Sequence, residues 1–132
     1  MSDAPKPLGS IAGFDLTVPD ADGIRDFYTA VVGWTPDPLD MGGYADYFMK
    51  SPETGDPVAG ICHARGVNAD LPPQWLVYIT VADLDASVAR CVEIGGSQVT
   101  AIKGEPGDDF RYCVIKDPAG AILALMQAPR PS

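Results

Sequence analysis

Hydrophobic and polar positions alternate along residues 11–18, IAGFDLTV, with Phe14, Leu16 and Val18 on one face and Gly13, Asp15 and Thr17 on the other. A period of two predicts a strand. Pro19 and Asp20 break it, and Asp20 or Asp22 can cap a helix that runs to about Val32. Ile24, Phe27, Tyr28 and Val31 recur at i, i+3, i+4 and i+7, one apolar stripe, and Gly33 is a helix stop. A Pro- and Gly-containing loop is predicted after Trp34. Strands follow at 44–50 and 58–64, divided by the turn-forming stretch SPETGDP at 51–57. GVNADLPP, residues 66–73, reads as a linker.

The pattern then repeats. WLVYITV at 75–81 predicts a strand, and Asp83 a cap for a helix to about Ile94, with Leu84, Val88, Cys91 and Val92 as its buried stripe. Gly95 and Gly96 end that helix. Strands are predicted at 97–102, 110–115 and 121–127, with DPAG at 117–120 as the turn between the last two. An offset of 63 residues brings Val18-Pro-Asp-Ala-Asp onto Val81-Ala-Asp-Leu-Asp and Gly33 onto Gly96. An internal period that aligns strand end, helix cap and helix stop points to duplication. The organisation is therefore a disordered lead over 1–10 and a single domain over 11–128, with a tail at 129–132. The domain holds modules at 11–65 and 74–128 joined by the linker 66–73. One helix covers one face of each half-sheet. The other face needs another partner or lines a cavity, a common place for a ligand.

Composition narrows the partners. With 132 residues, the chain fits one domain with a real core. The net charge of −9 disfavours phosphate backbones and anionic membrane surfaces. No apolar run is long enough to span a membrane, and MSDAPKPLGS at the N-terminus lacks the apolar segment of a secretory signal. The three cysteines, Cys62, Cys91 and Cys113, form no C-x-x-C pair and read as buried free thiols in a reducing compartment. The expectation is a soluble, cytoplasmic protein that meets a small molecule.

Asp20-x-Asp22, Phe27-Tyr28 and Gly33-Trp34, with Trp75, Tyr78, Val81-x-Asp83, Gly95-Gly96 and Asp117-Pro118-x-Gly120 in the second half, resemble the signature of the vicinal oxygen chelate superfamily. That superfamily includes glyoxalases, bleomycin resistance proteins and extradiol dioxygenases. The resemblance covers roughly residues 11–127. It implies an α+β fold of two βαβββ modules, a U-shaped mixed sheet around a cavity, and a homodimer. It also implies one divalent metal held by His and Glu side chains. Here the family's His positions align with Gly13 and Leu76, its last-strand Glu with Ala124, and its first-half Glu with Ala59 or Ile61. Metals need N, O or S donors, usually several together. No metal and no other cofactor is therefore expected.

Five residues remain as site candidates. Asp15 stands mid-strand, where Asp is disfavoured, and can bind a cationic or hydroxylated ligand, act as a base, or form a structural hydrogen bond or salt bridge, for example with Arg111. His63, the only histidine, shares by alternation the face of Ala59 and Ile61, taken as the cavity face. Tyr78 shares the face of Leu76 and Thr80 and offers a flat apolar body with a polar tip. Trp75 stands at the cavity mouth or under the linker, and Met126 lies on the face of Ala124. The favoured function is metal-independent binding of a small molecule by these residues. The alternative is a lyase, isomerase or dioxygenase-type enzyme with a non-standard metal site or acid–base chemistry by Asp15, His63 and Tyr78. There is no Gly-rich phosphate loop and no G-x-S-x-G elbow.

Overall fold

The computed structural model describes residues 6–108 and 110–127. The elements run β1 (Ile11–Val18), α1 (Ala21–Val32), β2 (Thr35–Asp40), β3 (Ala45–Lys50), β4 (Pro57–His63), β5 (Trp75–Thr80), α2 (Leu84–Glu93), β6 (Ser97–Gln98), β7 (Arg111–Lys116) and β8 (Ile122–Gln127). A 3-10 turn, Gly66–Asn68, lies in the linker. The order β-α-β-β-β occurs twice, as the 63-residue offset requires. Packing divides the described residues into two compact units, residues 13–75 around α1 and those before 13 and after 75 around α2. Strands of the α1 unit lie in the order β2-β3-β4-β1, and those of the α2 unit in the order β5-β8-β7-β6. β1 pairs with β4, and β5 with β8, in parallel; the other pairs within each unit are antiparallel. Each half is thus a mixed sheet with one helix, an α+β arrangement.

Both helices begin where the carboxylates predict. Asp20 accepts from Gly23 N–H at 3.0 Å, and Asp83 from Ala86 N–H at 3.1 Å. These side chains satisfy amides that the first turn leaves without partners. α2 gains a second cap, since Gln127 Oε1 accepts from Leu84 N–H at 2.6 Å. Gly33 closes α1 with φ 87°, a conformation open to Gly at little cost.

The α1 unit packs Leu16, Val18, Ala21, Tyr47, Met49 and Ile61 into one core, with Ile24, Tyr28 and Trp34 against it. The predicted stripe of α1 is half right. Ile24 and Tyr28 face the sheet, but Phe27 and Val31 are 54% and 64% exposed. The α2 core is Leu84, Val88, Cys113, Ile115 and Leu125, with Cys91 at its margin. Val92, expected in that stripe, is 53% exposed. Burial pushes the Cys113 thiol pKa up, which keeps it a neutral, unreactive core group.

Two other expectations change. The loop after Trp34 is the edge strand β2, which carries Pro36 and Pro38 and pairs with β3 from Thr35↔Lys50 to Asp40↔Ala45. Proline lacks a donor and is tolerated on an edge, so composition alone hid the strand. Residues 7–10 of the expected disordered lead form a hydrogen-bonded turn, Ser10 N–H to Pro7 O at 3.1 Å. That turn is tied to β5 by Gly9 N–H to Thr80 O at 2.8 Å and Thr80 N–H to Ser10 O at 3.0 Å. The rest of that lead before residue 6, and the tail at 129–132, lie outside the described residues. No helix among the described residues is long and apolar enough to cross a membrane.

Arg111, considered as a partner for Asp15, is committed elsewhere. It is 6% exposed, and its Nη1 and Nη2 donate to the Asp85 carboxylate at 3.0 and 3.4 Å. The Arg111 hydrogen bond holds the Asp85 pKa below its ordinary 3.8. A depressed carboxylate stabilises the fold above its unfolded pKa, and that contribution disappears as pH falls through the folded value. Asp85→Asn is therefore expected to melt below wild type near neutral pH. The gap should narrow as the pH is taken through and below 3.8. Thermal melts across pH check this, and a gap independent of pH would refute the pairing's role.

Candidate functional site

The faces of each sheet are fixed by what its helix covers. In β1, Leu16 and Val18 pack beneath α1, so Gly13, Asp15 and Thr17 point to the helix-free side. The register Asp15↔Gly60 and Thr17↔Cys62 puts Gly60 and Cys62 there as well. The Asp15 carboxylate lies over Gly60, where any Cβ would strike its Oδ1. Gly60 is thus the space that a half-buried carboxylate occupies.

His63 is on the other face. Leu16↔Ile61 and Val18↔His63 are register partners, so Ala59, Ile61 and His63 share the side covered by α1. Alternation correctly grouped these three residues, but it does not say which face α1 covers; pairing with β1 does. His63 belongs to a polar cluster at the start of α1. Its Nε2 is 3.8 Å from Asp22 Oδ1, and its buried Nδ1 is 3.4 Å from Asp46 Oδ1 without hydrogen-bond geometry. Tyr47 donates to Asp22 Oδ1 at 2.5 Å, and Arg25 Nη1 donates to the Tyr47 hydroxyl at 2.8 Å. The hydrogen bond to Asp22 pushes the Tyr47 pKa up. Tyr44 meets the His63 ring edge to face at 5.5 Å, and Arg65 stacks on Tyr44. The register Asp15↔Gly60 mirrors Tyr78↔Ala124, so His63, three residues beyond Gly60, is the counterpart of Gln127, which caps α2; its place is at a helix start.

Trp75 is likewise on the helix side. Its Nε1 donates to the Tyr28 hydroxyl at 3.0 Å, and its ring meets Tyr28 and Trp34 edge to face at 5.4 and 5.8 Å. It lines two shallow apolar hollows of the α1 unit, of about 280 and 310 Å³.

Tyr78 and Met126 fall together. In β5, Ile79 packs with the α2 core, which leaves Tyr78 and Thr80 on the helix-free face. The registers Tyr78↔Ala124↔Val114 and Thr80↔Met126↔Tyr112 form two rows across β5, β8 and β7. Ala124 and Val114 are fully buried, and three rings on this face pack on one another. Tyr112 lies 5.8 Å from Tyr78, Phe110 stacks on Tyr112 at 5.5 Å, and Tyr78 and Phe110 are 6.5 Å apart. Phe110 and Tyr112 were missed in the sequence. The Asp117–Gly120 turn was the usable signal, because it fixes the β7–β8 register and sets Tyr112 opposite Met126.

The His- and Glu-held metal that the resemblance implies does not fit this donor set. Gly13, Leu76 and Ala124 have no ligating side-chain atom. The register Asp15↔Gly60 mirrors Tyr78↔Ala124, so the first-half counterpart of Ala124 is Gly60 and not Ala59 or Ile61. Gly60 also offers no donor. Among the described residues no three His, Cys, Asp or Glu side chains converge.

A doubled βαβββ chain, with polar or aromatic residues gathered on the faces its helices leave uncovered, defines a class of paired-module α+β proteins. The chain belongs to the Glyoxalase/Bleomycin resistance protein/Dioxygenase superfamily, whose profile matches residues 9–125. It is 36% identical over 117 residues to the putative glyoxylase CFP32 of Mycobacterium bovis, covering 88% of this chain and 44% of that protein. It is 34% identical over 121 residues to the anthracycline biosynthesis protein DnrV of Streptomyces peucetius, covering 90% and 42%. The chain thus spans less than half the length of these relatives. Among solved structures it is similar to a methylmalonyl-CoA epimerase in complex with methylmalonyl-CoA and NH4+, with TM-score 0.55, 15% identity and coverage of 95% and 100%. It is also similar to an E144Q glyoxalase I mutant from Zea mays, with TM-score 0.58, 17% identity and coverage of 92% and 44%. These two likenesses concern the fold.

Proposed function

We propose that the protein binds a small, planar, partly apolar molecule without a metal, against the helix-free face of the α2 unit. The observation that carries this is the ring cluster of Tyr78, Phe110 and Tyr112, with the small Ala124 in register with Tyr78 and Met126 in register with Tyr112. Offset-stacked and edge-to-face ring pairs are worth about 0.5–1.5 kcal/mol each beyond burial, and Met adapts to irregular ring edges. A carboxylate at the Ala124 position would cost desolvation against such a ligand; Ala removes that cost. The similarity to a protein of anthracycline biosynthesis, a fused-ring class, supports the same ligand chemistry. The functional unit is a homodimer, which light scattering tests.

A panel of naphthols, naphthoquinones and anthraquinones should raise the melting temperature, because a ligand that binds the native state stabilises it. Tyr78→Ala should weaken the best ligand at least about tenfold, the loss of roughly one ring contact. A panel without effect on wild type refutes the reading. Stoichiometric transition metal removable by chelator refutes its metal-free part.

Asp15 supports a second reading, an acid–base enzyme. Its carboxylate lies on the helix-free face of the α1 unit, at the 63-residue equivalent of Tyr78. Turnover that disappears in Asp15→Asn would favour it, and unchanged turnover would remove Asp15 from that role.

A further inference from the structure

Thr80 is 4% exposed, and its Oγ1 is buried without a hydrogen-bond partner among the described residues. Buried hydroxyls are nearly always paired, because an unpaired one forfeits its water. The orphan is not at random in the fold. Thr80 shares the helix-free face with Tyr78, two residues back on β5, and lies in one row with Met126 and Tyr112. It is thus about 7 Å along the strand from Tyr78 and about 10 Å across the sheet from Tyr112, from strand rise and spacing.

Its backbone is already committed. Thr80 N–H and O bond to Ser10 and Gly9, so neither backbone group stands free to pair a ligand in place of the hydroxyl. The backbone bonds fix the residue, and alternation aims the side chain at the face of the rings.

We infer that the Thr80 hydroxyl is the specificity-determining polar contact of that face, and that the ligand is an oxygenated aromatic, a phenol or quinone. Its ring lies against Tyr78 and Tyr112, and its rim oxygen pairs with Thr80 Oγ1. A hydroxyl both donates and accepts, so it serves a phenolic O–H and a quinone carbonyl equally. An aromatic hydrocarbon of the same shape leaves Oγ1 orphaned and binds less well. This rests on reading the ring cluster as a ligand surface.

The test uses 1-naphthol and naphthalene as probes, with wild type, Thr80→Val and Thr80→Ser, by calorimetric titration. Wild type is expected to prefer 1-naphthol by about tenfold, the worth of one hydrogen bond. Thr80→Val should erase that preference while naphthalene binding stays unchanged, and Thr80→Ser should keep it. A Thr80→Val protein that retains the preference overturns the inference and leaves the ring surface standing. Failure of wild type to bind either probe removes the surface and this inference with it. The unliganded variants give an independent reading. Thr80→Val replaces an orphan hydroxyl by a methyl of the same shape and should melt higher than wild type. A lower melting temperature means that the protein itself satisfies Oγ1, which also overturns the inference.

Discussion

Ile61→Ala should lower the unfolding free energy by about 2–5 kcal/mol, the usual cost of emptying a fully buried aliphatic site. Ile61 has no exposure and sits on β4 between β1 and β3, opposite both Leu16 and Tyr47. The lost methyl and methylene groups leave a void on the α1 side of the sheet, in the core Ile61 shares with Leu16, Tyr47 and Met49. Strands held by ladders on two sides cannot collapse inward as a loop can. Urea unfolding at neutral pH measures the change. Val92→Ala is the control, because Val92 is 53% exposed and should stay within about 0.5 kcal/mol of wild type. A cost for Ile61→Ala below about 1 kcal/mol would show that the α1 core is not packed around this residue.

Gly96→Ala should cost about 1–3 kcal/mol, the range for forcing atoms into a filled interior. A Cβ there would stand 2.5 Å from Cys91 Sγ and 2.8 Å from the Lys116 carbonyl oxygen. The thiol can turn aside, but the carbonyl is held in β7, which β8 flanks. The double variant Cys91→Ala/Gly96→Ala therefore separates the two contacts. It should recover the thiol's share and leave the carbonyl's, which thermal melts of the single and double variants report. A fully additive double variant would place the whole clash on the backbone.

The sequence disclosed the fold through its punctuation. Asp20, Asp83, Gly33 and the Asp117–Gly120 turn stand where the elements begin and end, because caps and turns are local chemistry. Duplication then supplied the order of the strands. What stayed hidden depended on partners far away in the chain. Gly96 reads as a helix stop, yet its role is a close approach to β7; the positive φ of 108° belongs to Gly95. The side taken by His63 follows from its register with Val18, which no window of sequence contains. The faces of Tyr78 and Met126 follow from parity within one strand, which is local information. Phe110 and Tyr112 needed the β7–β8 register, and the orphaned hydroxyl of Thr80 needed all neighbours in place. Phe27 and Val31 obey the helical period but face water, since periodicity measures likeness to a buried stripe and not burial.

Pro36 and Pro38 share parity on β2, the outermost strand of its unit, and six registered pairs to β3 run past them without a shift. Their missing donors therefore fall along the outer margin, at alternate steps. A foreign β-segment approaching that border meets no amide at either step and cannot zip onto it. The protein guards its own rim against fibril-like growth with two rings, beside the carboxylates of Asp37 and Asp40.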